Sequence, residues 1–147
     1  IMISALFSRG ADGIPAPAPL DFATLQLPAS PNTCLLTPSV APGQGHVHRD
    51  PLPASPEAVM AALDRVAASM PRTFSLARFP ARHQAQWVVR SALMNYPDIV
   101  VAEAAPLEGG TGLWLYSRSL IGWSDLGVNR ARVMAWLTAL EAALRAG

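Results

Sequence analysis

A two-layer α+β domain, an antiparallel meander of about four strands with two helices on one face, is the fold class this sequence predicts. Three observations carry that reading. Segments after Ser55 and near Asn129 repeat apolar residues at helical spacing, and the block between them alternates apolar with polar residues. The joins inside that block are too short for parallel crossovers, so successive strands must reverse.

The first helix opens at Ser55-Pro56-Glu57, where Ser caps, Pro fits the first turn and Glu opposes the positive dipole end. Val59, Met60, Leu63, Val66, Ala67 and Met70 form its buried stripe, and Pro71 ends it. Strands are expected over 73–79, 86–93, 99–105 and 113–119. The turns are Asn95-Tyr-Pro-Asp98 and Glu108-Gly-Gly-Thr111. His46 to His48 offers an extra edge strand. The last helix is expected to start near Asn129 as its cap, with Val133, Trp136, Leu137, Leu140 and Leu144 facing inward.

Ahead of this domain, assigned to 55–147, the chain changes character. Most of its fourteen prolines fall between Pro15 and Pro56, a density that removes backbone donors and favours extended chain. Residues 10–54 therefore read as a Pro-rich arm. Because it carries Leu20, Phe22, Leu25, Leu27, Leu35, Leu36 and Val40, it needs a surface. That surface is either its own domain or a partner protein or membrane. Residues 1–9 begin with Ile1-Met-Ile-Ser-Ala-Leu-Phe7, too short to cross a bilayer alone. They read as the remnant of a membrane anchor or export segment, or as a plain apolar terminus.

Composition excludes more than it selects. The formal net charge is +1 with eleven basic residues, all Arg and never in a run, so the clustered footprint that nucleic-acid binding requires is missing. A lone cysteine, Cys34, forbids an internal disulfide or multi-cysteine zinc site. It reads as a small buried hydrophobe. His46, His48 and His83 have no supporting carboxylate or Cys spacing for a metal, and no cofactor is indicated. Ser117, Ser119 and Ser124 have no neighbouring His, which leaves catalysis without a general base. The chain reads as leaning away from enzymatic activity.

The segment Tyr116 to Arg132 is the most distinctive. Its run Ser117-Arg-Ser-x-x-Gly-x-Ser-Asp-Leu-Gly-Val-Asn-Arg-x-Arg-Val133 resembles the hallmark of the bacterial domain-of-unknown-function family 1499. Arg90-Ser91, Pro97-Asp98 and Pro31-Asn32-x-Cys34 are similar to other elements of that family, and the resemblance covers roughly residues 30 to 145. It implies a small domain, often behind an N-terminal membrane segment or export signal, with no established activity and no catalytic residue to carry over. The expected location is the periplasmic face of a bacterial membrane, anchored or peripheral. The expected role is an accessory, assembly or stabilising protein bound to a membrane-embedded complex.

Two physical readings of the motif stay open. Arg130 and Arg132 fall in the first turn of a helix, where positive charge opposes the macrodipole and wants compensation. Asp98 and Asp125 could supply it, with Arg90, Arg118, Ser119 and Asn129 completing a structural network and Gly122 and Gly127 allowing the turn. Alternatively Arg118 and Arg130 grip a small anionic ligand beside the amides of the helix start. Trp114, Tyr116, Trp123, Phe22 and Leu25 are candidate contacts for a partner protein, provided the helices cover the opposite sheet face from Trp114 and Tyr116.

Overall fold

The computed structural model describes residues 2–147, with side chains from Ala5 onward. Its elements, in order, are α1 (Met2–Phe7), β1 (Thr33–Pro38), β2 (Val47–Arg49), α2 (Pro56–Ser69) and β3 (Thr73–Phe79). They continue with a 3-10 turn at Pro80–Arg82, β4 (Gln84–Arg90), β5 (Pro97–Leu107), β6 (Gly110–Ser119) and α3 (Val128–Ala146). The α+β class is as the sequence predicts. The sheet differs: it has six strands in the order β2-β1-β6-β5-β4-β3 and is mixed, because β2 runs parallel to β1.

The additional strands come from the segment read as an arm. Thr33–Pro38 is buried along almost its whole length, on both faces. A strand covered on both sides shows an unbroken apolar run and gives no alternation to read. After β1 the chain doubles back through two turns, closed by Ala41 N to Pro38 O and Gly45 N to Pro42 O, so β2 can lie parallel beside it. Thus residues 33–49 belong to the same sheet as residues 73–119, and the division at residue 54 does not separate two folded bodies.

Side-chain parity then divides the sheet into two unlike faces. Cys34 and Leu36 of β1, Trp87 and Val89 of β4, Val100 and Ala102 of β5, and Leu113 and Leu115 of β6 point to one side. There they pack on Val59, Leu63 and Val66 of α2 and on Val133, Trp136 and Leu140 of α3. Trp87 and Trp136 meet edge to face with centroids 5.3 Å apart, a favoured aromatic geometry. α2 and α3 therefore cover one face, as expected of the two helices the sequence predicts, and α1 is a third helix that it does not.

The opposite face is covered by the arm itself. Ala11, Ile14, Leu20, Phe22, Leu25 and Leu27 pack on Leu35, Val88, Ile99, Val101 and Tyr116. The expected two layers become three: arm, sheet and helices. Extended chain cannot satisfy its own backbone groups, and β4 supplies partners for them. Gln84 accepts from Leu20 N and donates to Leu20 O, both at 2.8 Å, and Gln86 donates to Ala18 O at 3.3 Å. Arg90, two turns of the pleat further on, donates to Gly10 O, Ala5 O, Asn95 O and Asp12 O. Asn95 adds bonds to Leu6 O and Ser8 O, so the C-terminal end of α1 is tied to the loop between β4 and β5.

Residue 1 of the expected anchor remnant lies outside the described residues. No helix among them is long and apolar enough to cross a membrane.

Candidate functional site

Asp98, Ser119, Asp125 and Asn129 converge where the ends of β5 and β6 meet the start of α3; Arg132 joins them, whereas Arg90, Arg118 and Arg130 do not. Register explains the sorting. Asp98 pairs with Val89 across β4 and with Ser119 across β6, so all three share the helix-facing side. Arg90 is one residue out of phase and Arg118 lies between Ser117 and Ser119, so both point to the arm side. Arg118 opens there into a gap of about 440 Å³ between arm and sheet. Arg130 projects from α3 into solvent. The anion grip formed by Arg118 and Arg130 is therefore not assembled.

Asn129 is the hub, and it is fully buried. Its Nδ2 lies 3.0 Å from Asn32 O, 2.8 Å from Ser119 Oγ and 2.7 Å from Asp125 Oδ2. Its Oδ1 accepts from Ser117 Oγ at 2.6 Å and from Arg132 Nη1 at 2.9 Å. Arg132 Nη1 also reaches Asp98 Oδ2 at 2.8 Å and Ser117 Oγ at 3.1 Å. Asn32 returns the tie by donating to Gly122 O at 2.8 Å. Three segments distant in sequence are thereby fixed to one side chain, a buried network in which both ends of the Asn129 amide are bonded.

The sequence places Asn129 as the cap of α3, but the cap position is Gly127, two residues earlier, and the Asp125 side chain accepts from the first amides. Gly127 occupies the boundary at φ 84 and Gly122 turns the preceding loop at φ 90, conformations that favour glycine. Asp125 Oδ1 accepts from Gly127 N at 2.8 Å and Oδ2 from Asn129 N at 3.0 Å. The amides of Gly127 and Asn129 at the helix start are thus occupied by a side chain of the chain itself.

The two carboxylates have opposite electrostatic settings. Burial pushes the Asp98 carboxyl above the ordinary range, against the lowering pull of Arg132 and the Ser119 hydroxyl. Burial would also raise Asp125, but hydrogen bonds from the Asn129 side chain and backbone and from Gly127 together hold it below. Burial raises the Cys34 thiol too, only partly offset by the Arg130 charge, which keeps it a protonated core residue.

Outside the network lies a cleft of about 670 Å³. Asp98 and Arg132 line it together with Arg72, and Val89, Met70, Ile121, Val128 and Trp136 contribute apolar wall. Sequence reasoning missed Arg72, Asn32 and Ser117 as members of this region. Ser117 could have been found from its parity with Ser119. Arg132 lies three residues after Asn129 on the same helical stripe as Val133 and Trp136, which also marks it as facing inward. Arg72 carried no local signal, since β3 and β4 bring it here.

The expected aromatic contacts divide. Tyr116 is only 3% exposed under the arm, and Trp114 is half-buried beside Phe22 and Leu25, around a gap of about 510 Å³. The helices do cover the opposite face, but the arm claims the surface that would otherwise have been free. Trp123 alone stands out, 66% exposed. It belongs to a larger concentration: seven of the nine exposed large hydrophobics among the described residues lie at this one end of the sheet. They are Leu93, Met94 and Tyr96 in the β4–β5 loop, Trp123, Leu126 and Val128 at the β6–α3 turn, and Phe7 of α1. Among the described residues no group of three or more His, Cys, Asp or Glu is arranged to hold a metal ion.

Comparison with known proteins bears on fold and family. A protein from Mesorhizobium loti, MLL2253, superposes with a TM-score of 0.54 at 13% identity, covering 77% of this chain and 96% of its own. CV1439 from Chromobacterium violaceum gives a TM-score of 0.50 at 17% identity, covering 77% and 95%. At such identities the likeness shows the fold alone. No curated protein matches. Residues 24–140, which include the arm's second half, both sheet faces and the Asn129 network, match the family described as "Protein of unknown function (DUF1499)", and the chain belongs to that family.

Proposed function

We propose that this protein is a non-enzymatic accessory or assembly protein of the bacterial cell envelope. It docks on a membrane-embedded complex from the periplasmic side, through the apolar end of its sheet. The concentration of Leu93, Met94, Tyr96, Trp123, Leu126, Val128 and Phe7 at that end carries the reading. Exposed apolar side chains scattered singly need no explanation, but a cluster drawn from two loops and a helix end is a contact surface. The arm is not the docking element in this reading, because its apolar residues lie on their own sheet. Arg90 and Asn95 fix α1 beside the exposed loops.

The test is recovery of the full-length protein from its native membranes in mild detergent, beside a Leu93→Asp/Leu126→Asp variant. Both positions are more than 90% exposed, and Asp tolerates the left-handed conformation of Leu126 better than most residues. A stoichiometric membrane complex that the variant fails to retain is the expected result. Wild-type protein recovered alone, or a complex indifferent to the variant, ends this reading.

A further inference from the structure

We infer that the cleft between the ends of β4, β5 and α3 binds an anionic amphiphile, a carboxylate or phosphate monoester carried on an aliphatic chain. Open guanidinium donors and shape carry this, independently of any partner protein. Every hydrogen bond that Arg132 makes leaves from Nη1, so its Nε and Nη2 have no partner among the described residues. Arg72 spends only Nε, on Arg90 O at 2.9 Å, and its two terminal nitrogens have no partner among the described residues. Two guanidinium edges thus line one cleft, one of them held in place by a buried network. A guanidinium fork pairs with a carboxylate or phosphate through charge-assisted bonds.

Of the acidic residues in the lining, Asp98 answers Arg132 at Nη1 alone, and neither carboxylate bonds to Arg72 among the described residues. Asp98 is paired with Arg132 and Ser119, and Asp125 is consumed by the amides of α3. With Arg90 on the arm side, Arg72 and Arg132 face two carboxylates, so the pull on an anion comes from their open guanidinium edges and not from net charge. Arg90 turns away to the carbonyls of the arm. Met70, Val89, Ile121, Leu126, Val128 and Trp136 give the remaining wall an apolar stretch beside the hydroxyls of Thr73, Ser91, Ser119 and Ser124, and a cleft of about 670 Å³ is of the size that takes small ligands. An inorganic anion would leave that wall unused; a neutral lipid would leave the guanidinium edges unused.

Arg132→Gln would disturb the network, so the test uses Arg72→Gln and Ala135→Glu. Ala135 is exposed and lines the cleft; Ala142→Glu, on the same helix face two turns away and outside the cleft, is the control. Full-length protein is titrated calorimetrically with octanoate, octyl phosphate and octanol, and sedimented with phosphatidylglycerol and phosphatidylcholine vesicles. Saturable one-to-one binding of the two anions is expected, weakened about tenfold or more by Arg72→Gln and Ala135→Glu but not by Ala142→Glu. Phosphatidylglycerol binding with the same variant dependence would assign the head to a lipid, and its absence would assign it to a soluble amphiphile. No saturable binding of either anion overturns the inference. So does octanol binding equal to the anions, or vesicle binding that ignores both variants.

Discussion

The two faces of the sheet are covered by unlike material, and the sheet's own residues differ accordingly. Against α2 and α3 it presents Trp87, Val89, Val100, Ala102 and Leu115, with little polar except at the end where Asn129 sits. Against the arm, the same strand β4 presents Gln84, Gln86 and Arg90, all buried. The reason is backbone accounting. A helix bonds its own amides and carbonyls, so the surface beneath it can be purely apolar. An extended arm rich in proline cannot, so burying it requires donors and acceptors from the surface it lies on. β4 serves one layer through its odd residues and the other through its even ones.

Breaking each face should therefore fail differently. Trp136→Ala removes a fully packed ring from the helix side and should cost about 3–5 kcal/mol in chemical denaturation, more than any single change on the arm side. It should act globally, since Trp136 touches both helices' shared core. Arg90→Met strands four carbonyls of the N-terminal segment and its neighbouring loop. A loss of about 3 kcal/mol is expected, because buried groups left without partners bear their full desolvation cost. Its signature is early proteolytic cleavage before residue 15. A loss under about 1 kcal/mol with no such cleavage would show that these bonds do not hold the segment.

How much of the fold is legible in the sequence follows the same division. Both helices announce themselves because periodicity is a local property: Val59, Leu63 and Val66, or Val133, Trp136 and Leu140, recur at fixed spacing whatever they pack on. β1 is hidden because two coverings erase its alternation. The Asp98–Arg132 pair is half visible, for both residues stand out in the motif. Arg90 falls to Asp98 by proximity across the turn, whereas a one-residue register difference sends it to the other face. The arm's destination is written in β4 as Gln84, Gln86 and Arg90 alternating with Ala85, Trp87 and Val89. That pattern resembles any strand with one wet face until something is known to lie on it.

Gln84→Leu sharpens the contrast on a smaller scale. It removes both bonds to Leu20, the 2.7 Å contact with Glu103 and the 3.0 Å bond from Gln86 while putting an apolar side chain of similar size in their place. The expected cost is about 1–2 kcal/mol. Amide exchange should rise in residues 15–27 and stay unchanged in α2 and α3. Uniform acceleration across both faces would mean that arm and helices unfold as one unit, and would erase the energetic difference between the two coverings.

The Asn129 end joins the two faces, since Asn32 of the arm side and α3 of the helix side meet there, and pH reads it out. Asp125 has a folded pKa below its unfolded value, so its stabilisation is complete above the ordinary carboxylate range and is lost as pH falls through the folded value. Asp98 is raised, so its ionised form is penalised in the fold, and stability increases as pH falls through its folded value toward the unfolded one. Opposite slopes give a stability maximum on the acid side of neutrality, where Asp98 is protonated and Asp125 is still ionised. Asp125→Ala should cost about 1 kcal/mol at pH 7, the worth of a helix cap, and should abolish the acid limb while leaving the Asp98 limb intact. A wild-type-to-variant gap that stays constant down to the most acidic pH would show that the carboxylate charge is irrelevant to the cap. The join would then rest on Asn129 and its neutral hydrogen bonds to Asn32, Ser117 and Ser119.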